Sequence, residues 1–189
     1  MELELEIRNL DKVKNLLSGI HEGAERATTT AINRSLISIK KEMKKKVTQE
    51  YDIKSTDVEK TLAVKKATFS MLSGTIISKS PRIALYKFLK GTSGNDIKVR
   101  IKKSEGTKIV RRNPKNWGNP FLANMKNGHR GIFQRKDKSS YPIKENYSLS
   151  IPQMLGYKSI GEYVIEKGNI LLEKAIEREV ERILRGYVW

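Results

Sequence analysis

Leu3, Leu5 and Ile7 alternate with Glu2, Glu4 and Glu6, the period-two pattern of a half-buried strand with one wet face. From Asp11 to about Lys46 the period changes. Val13, Leu16, Leu17, Ile20, Ala24, Ala27, Ala31, Leu36, Ile39, Met43 and Val47 recur at spacings of three and four, which predicts a long amphipathic helix, about 50 Å if continuous at 1.5 Å per residue. Gly19 and Gly23 are points where its start can break, and the small side chains of Ala24, Ala27 and Ala31 allow another backbone to come close. Core packing accounts for such a stripe, but one this long can also outrun the core of a small domain and face another subunit. Thr56-Asp57-Val58-Glu59 has capping-box spacing and predicts a short helix to about Leu62 with Thr56 as N-cap. Alternation at Phe69, Met71, Ser73, Thr75 and Ile77, then at Ile83, Leu85, Ile97, Val99 and Ile101, predicts several strands punctuated by Gly74, Ser80-Pro81 and Gly91-Thr92-Ser93-Gly94. A last helix is expected from Ile160 to about Leu184, with a break point at Gly168. Together these elements predict a single α+β domain over residues 1–189. Its antiparallel sheet should be packed by a long N-terminal helix with the C-terminal helix beside it, and an extended basic loop or arm should protrude over residues 113–147.

Charge sharpens this picture. The chain carries +17 with a pI of about 10.0, which calls for a negatively charged partner or an acidic neighbouring subunit. The excess is concentrated, because thirteen Lys or Arg residues lie between Lys98 and Lys138 against only Glu105 and Asp137. Lys98, Arg100, Lys102, Lys103, Lys108, Arg111, Arg112 and Lys115 are the candidates for facing DNA phosphates. Trp117, Phe121, Phe133 and Tyr141 interleave with these charges and are able in principle to stack on bases, yet no helix-turn-helix, zinc finger or RNA-binding signature accompanies them.

The chemistry that a catalytic or metal site needs is sparse. With no cysteine, the chain has no disulfide, thiolate nucleophile or cysteine zinc site; its two histidines, His21 and His129, are far apart. There is no GxxxxGK segment and no His-Glu-x-x-His arrangement. Glu173, Glu177 and Glu181 share a helix face with Lys174, Arg178 and Arg182 running beside them, a mixed and solvated pattern. No enzyme, metal or cofactor is expected. Apolar runs fall short of the roughly 20 residues of a membrane span, and the acidic start after Met1 does not resemble a secretory signal.

The arm is therefore read as a fitting surface. Asn113-Pro114-Lys115-Asn116-Trp117-Gly118-Asn119-Pro120 is rich in turn formers, and Gly128 and Gly131 permit a sharp reversal around His129, itself read as a backbone-bonded turn residue or an interface donor. Phe121, Met125, His129, Ile132, Phe133, Arg135, Pro142, Ile143 and Glu145 are the candidate interface residues. Replacing Phe133 or Arg135 is expected to block docking without unfolding the monomer.

Phe121, Ala123, Met125, Gly128, His129, Gly131, Phe133 and Arg135, continued by Pro142, Ile143, Glu145 and then Ser150, Ile151 and Pro152, resemble the minor tail protein Z family of tailed bacteriophages and prophages. The run from Ala24 to Ala31 with Asn33, leading into a long basic helix, is similar to that family's opening; Tyr147-Ser148-Leu149-Ser150 departs from the Gly-Pro-Ser-like turn expected there. The resemblance implies a structural role in finishing the tail or joining it to the head, as a ring of subunits, six being one candidate number, around the DNA channel. It also implies kinship with small tail-completion proteins in which a helix pair packs on an antiparallel sheet. Implied partners are further copies of the chain, tail and head–tail connector proteins, and non-specific contact with packaged DNA, with no membrane. The implied location is the virion tail or neck, and the host cytoplasm during assembly. The alternative is a DNA-binding accessory protein that uses the segment from Lys98 to Lys138.

Overall fold

The computed structural model describes residues 1–6 and 10–186; the expectation for Ile7 lies outside them. The elements in chain order are β1 (Glu2–Glu6), α1 (Leu10–Leu16), α2 (Gly23–Glu50), α3 (Ser55–Glu59), β2 (Leu62–Lys65), β3 (Ser73–Ser78), β4 (Arg82–Ala84), β5 (Leu89–Ser93), β6 (Asp96–Val99), β7 (Lys108–Ile109), β8 (Trp117–Asn124), β9 (Arg130–Arg135), β10 (Ile143–Glu145), β11 (Tyr147–Ser150), α4 (Ile151–Leu155) and α5 (Lys158–Arg185). The fold is α+β. Instead of one sheet, the described strands form four small antiparallel ones, ordered β1-β3-β2, β5-β6-β7, β10-β9-β8 and β11-β4.

The expected first helix is two helices. Tight turns, in which Leu17 O accepts from Ile20 N at 3.0 Å and Ile20 O from Gly23 N at 2.9 Å, separate α1 from α2. Glu22 just before Gly23 holds a left-handed φ of 51°, so the chain changes direction there and Val13 and Leu17 fold back onto Ala24 and Ala27. The longer helix then runs on to Glu50. Its Ile32, Leu36, Ile39, Met43 and Val47 point into one core with Ile76 of β3, Phe88, Val99, Ile132 and Met154. Leu36 and Ile32 come so close to β3 that a Cβ on Gly74 would lie 2.7 Å from Leu36 Cδ1 and 2.8 Å from Ile32 Cγ2; the sheet and helix meet at a glycine.

Three sequence expectations change here. Phe69 and Met71 are exposed and precede the strand, because Asn33 of α2 clasps Ala67 through both amide atoms (Nδ2 to Ala67 O, 3.1 Å; Ala67 N to Oδ1, 2.9 Å), and the chain then turns at Thr68–Met71. Within β3 the buried positions are Gly74, Ile76 and Ser78, the opposite parity to Ser73, Thr75 and Ile77; the small Gly74 and Ser78 hide the inward face from a hydrophobicity pattern. At α3 the N-cap is Lys54, without a side-chain bond, so the box at Thr56 and Glu59 does not form, and Leu62 opens β2. The capping box forms at α4, where Ser150 N donates to Gln153 Oε1 at 2.9 Å and Gln153 N donates to Ser150 Oγ at 3.4 Å.

Helix α5 packs chiefly along α2 rather than on the sheet itself. Gly168 does not break it; a Cβ there would touch Ile39 Cδ1 of α2 at 3.4 Å, so its smallness lets the two helices approach. Tyr163 donates to Glu42 at 2.8 Å, and Ser35 donates to Leu171 O at 3.4 Å. Farther along, Glu179 is 1% exposed and is held by Arg34 of α2 and by Arg182, giving the buried carboxylate two cationic donors.

Candidate docking surface

Residues 113–147 are mostly a three-stranded sheet. β8 pairs with β9 (Phe121 opposite Phe133, Ala123 opposite Gly131), and β9 with β10 (Arg135 opposite Ile143, Phe133 opposite Glu145). Strand alternation therefore places Phe121, Ala123, Gly131, Phe133, Arg135, Ile143 and Glu145 on one face, and Leu122, Arg130, Ile132, Gln134 and Lys144 on the other. The hairpin reverses over three residues. Gly128 N donates to Met125 O at 2.9 Å, Met125 N donates to His129 O at 2.8 Å, and Gly128 takes a φ of 81°, a left-handed position that suits glycine and matches a type I turn closed by a bulge.

That turn delivers His129 to a cluster centred on Glu145. His129 N donates to Asn127 Oδ1 at 3.1 Å, while Nε2 of its ring lies 2.9 Å from Glu145 Oε1. Tyr147 donates its hydroxyl to Glu145 Oε2 at 2.7 Å, and this bond holds the tyrosine above its ordinary pKa. The Glu145 side chain is 12% exposed against 46% for His129. Below it, a Cβ on Gly131 would stand 2.7 Å from Glu145 Oε1 and from the Phe133 ring, so a side chain there would have to push the carboxylate and the ring aside. Phe133 is flanked by His129, edge-on at 6.2 Å between centroids, and by Phe121 at 6.4 Å, over whose ring the Arg135 guanidinium lies at 5.9 Å.

Seven of the nine candidate interface residues thus meet on one face or at its hairpin end. Pro142 is exposed in the β9–β10 connection, where its carbonyl accepts from Lys136 N at 3.0 Å. Ile132 lies on the opposite face, wholly buried in the protomer core, and Phe133, on the candidate face itself, is buried between His129 and Phe121; replacing Phe133 therefore does not leave the protomer untouched. Gln134, which sequence reasoning passed over, is wholly buried. Its Oε1 accepts from Asn113 N at 3.1 Å, and its Nε2 donates to Gly118 O at 2.8 Å and Asn113 O at 3.3 Å, stapling the turn-rich segment to the central strand.

The eight candidate DNA-facing cations divide into two groups. Arg100 donates to Asp52 Oδ2 at 2.6 Å, Lys103 to Thr48 O at 2.7 Å and Arg112 to Asn116 O at 3.3 Å; Lys102 sits over the Tyr157 ring at 4.0 Å, and Lys108 pairs with Glu105. Lys98, Arg111 and Lys115 are exposed and have no side-chain bond or ion pair among the described residues. Burial pushes the Asp52 carboxyl up, but the hydrogen bonds and charges of Lys90 and Arg100 outweigh it and hold the group below its ordinary range. Trp117 has Arg112 at 5.8 Å and Lys138 at 5.2 Å from its ring centroid, so the protein's own cations already lie against it. Among the described residues, no group of three or more His, Cys, Asp or Glu is placed to hold a metal ion, and no helix is long and apolar enough to cross a membrane.

An α+β fold of small antiparallel sheets and two long helices fits a structural assembly component. The family described as prophage minor tail protein Z (GPZ) matches residues 4–189, and the chain belongs to that family. No curated protein and no solved structure matches it at a significant level.

Proposed function

We propose that this tail protein completes the phage tail or joins it to the head, acting as a ring of copies around the DNA channel, with the face centred on Glu145 as its docking surface. The observation that carries this reading is the convergence of His129, sixteen residues earlier, and Tyr147, two residues later, on the half-buried Glu145 carboxylate at the protein surface. Glu145 is held between the His129 ring and the Tyr147 hydroxyl, over a glycine at 131. The arrangement fixes a hydrogen-bonding pattern for a partner, with Arg135 alongside. Shape and charge complementarity are the mechanism, and a closed ring multiplies each weak contact by symmetry. The protein would act in the tail or neck of the virion, after assembly in the host cytoplasm, with tail and connector proteins as neighbours.

Complementation tests this. Phage lacking the protein, supplied with the Arg135→Glu variant, should give tails that fail to complete although the variant remains folded; wild-type yields of infectious particles would refute the assignment of this face.

A second reading, a DNA-binding accessory role, is favoured by the unpaired Lys98, Arg111 and Lys115 on a chain of net charge +17. It requires duplex binding that weakens steeply with salt, and negligible binding at low salt would end it.

A further inference from the structure

Helix α5 carries a surface that the docking face leaves unused. At 3.6 residues per turn, Glu162, Glu166, Glu173 and Glu177 fall within an arc of about 60°, while Lys167, Lys174, Arg178 and Arg185 fall within a separate arc of about 40°. All four glutamates are exposed, and Glu166, Glu173 and Glu177 have no ion pair among the described residues. The helix itself is charge-neutral, six acidic against six basic residues, in a chain that is +17 overall. Its ion pairs are internal or made with α2 (Lys158–Glu162, Arg185–Glu181, Arg182–Glu179 and Arg34–Glu179), and none reaches residues 111–147. The stripe and the basic arm therefore do not neutralise each other within one protomer.

We propose that the acidic stripe of α5 in one copy docks against the basic arm of a second copy; this rests on the reading of the arm as a docking surface. Two chains of +17 repel at long range, so a second copy can approach only where opposite charge is locally exposed. The stripe offers that, since Arg111, Lys115 and Lys136 are exposed and without acidic partners among the described residues. Each surface brings an apolar anchor, Ile165 at 52% exposure beside the stripe and Tyr141 at 75% on the arm. Two different surfaces meeting head to tail form a heterologous contact, the kind that closes into rings.

The test uses the full chain and two charge-reversed variants, Glu166→Lys/Glu173→Lys/Glu177→Lys and Arg111→Glu/Lys115→Glu/Lys136→Glu. All substitutions are at exposed positions, and circular dichroism checks the fold. Absolute mass is measured by light scattering at ionic strengths of about 0.1 M and about 1 M, where the Debye length is about 10 Å and about 3 Å. The expected result is a wild-type oligomer that dissociates at high salt, monomers from either variant alone, and an oligomer regained in their equimolar mixture, since each then supplies the charge the other lacks. A monomeric wild type, variants that associate normally, or a mixture that stays monomeric would overturn the contact. So would loss of duplex DNA binding by the base-reversed variant with self-association intact, which would give the arm to nucleic acid. The complementation result separates the two readings: charge-reversed variants that associate normally while Arg135→Glu still fails to complement remove only this contact, whereas normal completion by Arg135→Glu removes the docking role itself.

Discussion

Nε2 of His129 stands 2.9 Å from Oε1 of Glu145, sixteen residues later in the chain. The hairpin turn at Gly128 sets the first group and the β9–β10 pairing sets the second, so the pair registers three strands against one another. Because the His129 ring also stands edge-on to Phe133, the polar contact and the aromatic cluster hold or fail together.

Gly131→Ala should expose this dependence. The added Cβ meets Glu145 Oε1 and the Phe133 ring at 2.7 Å, and overpacking of this kind costs about 1–3 kcal/mol. Urea denaturation should show the loss in the midpoint with an unchanged slope; wild-type stability would mean that the strand accommodates a side chain there.

Gln134→Leu should loosen the segment that presents Trp117. It removes three hydrogen bonds to Asn113 and Gly118, each worth about 0.5–1.5 kcal/mol net. Hydrogen exchange should quicken at Asn113 and the neighbouring amides while the protection of α2 and α5 stays as in the wild type.

Much of the helical architecture was legible in the sequence because a three-to-four periodicity survives packing on any partner. The long stripe from Ala24 to Val47 and the last helix follow from it. The break at Glu22 was half legible, as two flanking glycines. The parity of β3 was not, since Gly74 and Ser78 face the core and the inward face therefore looks polar; the exposed Phe69 and Met71 extended the false alternation. The candidate docking residues were legible as a cluster of glycines, aromatics and charges, but not which of them are exposed and which buried, which depends on strand register. Ile132 is buried because its face of β9 turns to the core, and Phe133 because His129 and Phe121 flank its ring.

Phe133→Ala should consequently act on stability before it acts on docking. Truncating a buried phenylalanine costs about 3–5 kcal/mol, and its thermal midpoint should fall well below that of Arg135→Glu, which alters only an exposed side chain. Equal midpoints would mean that the Phe133 ring adds little to the stability of the protomer.

Asp52 gives the protein an acid limit. Its carboxyl is held below its ordinary range by Lys90 and Arg100, so its contribution is complete above the unfolded value of about 3.9 and disappears as pH falls through the lower folded value. Stability should decline below about pH 4, and Asp52→Asn should flatten that limb while weakening the protein at neutral pH. An acid limb unchanged by Asp52→Asn would assign it to other carboxylates.

Locating the chain in purified particles tests the central claim most directly. Gold labelling of an epitope-tagged protein that still complements should mark one end of the tail, at the neck, in most particles. Label confined to unassembled protein, with infectious particles free of it, would contradict a structural role in the tail.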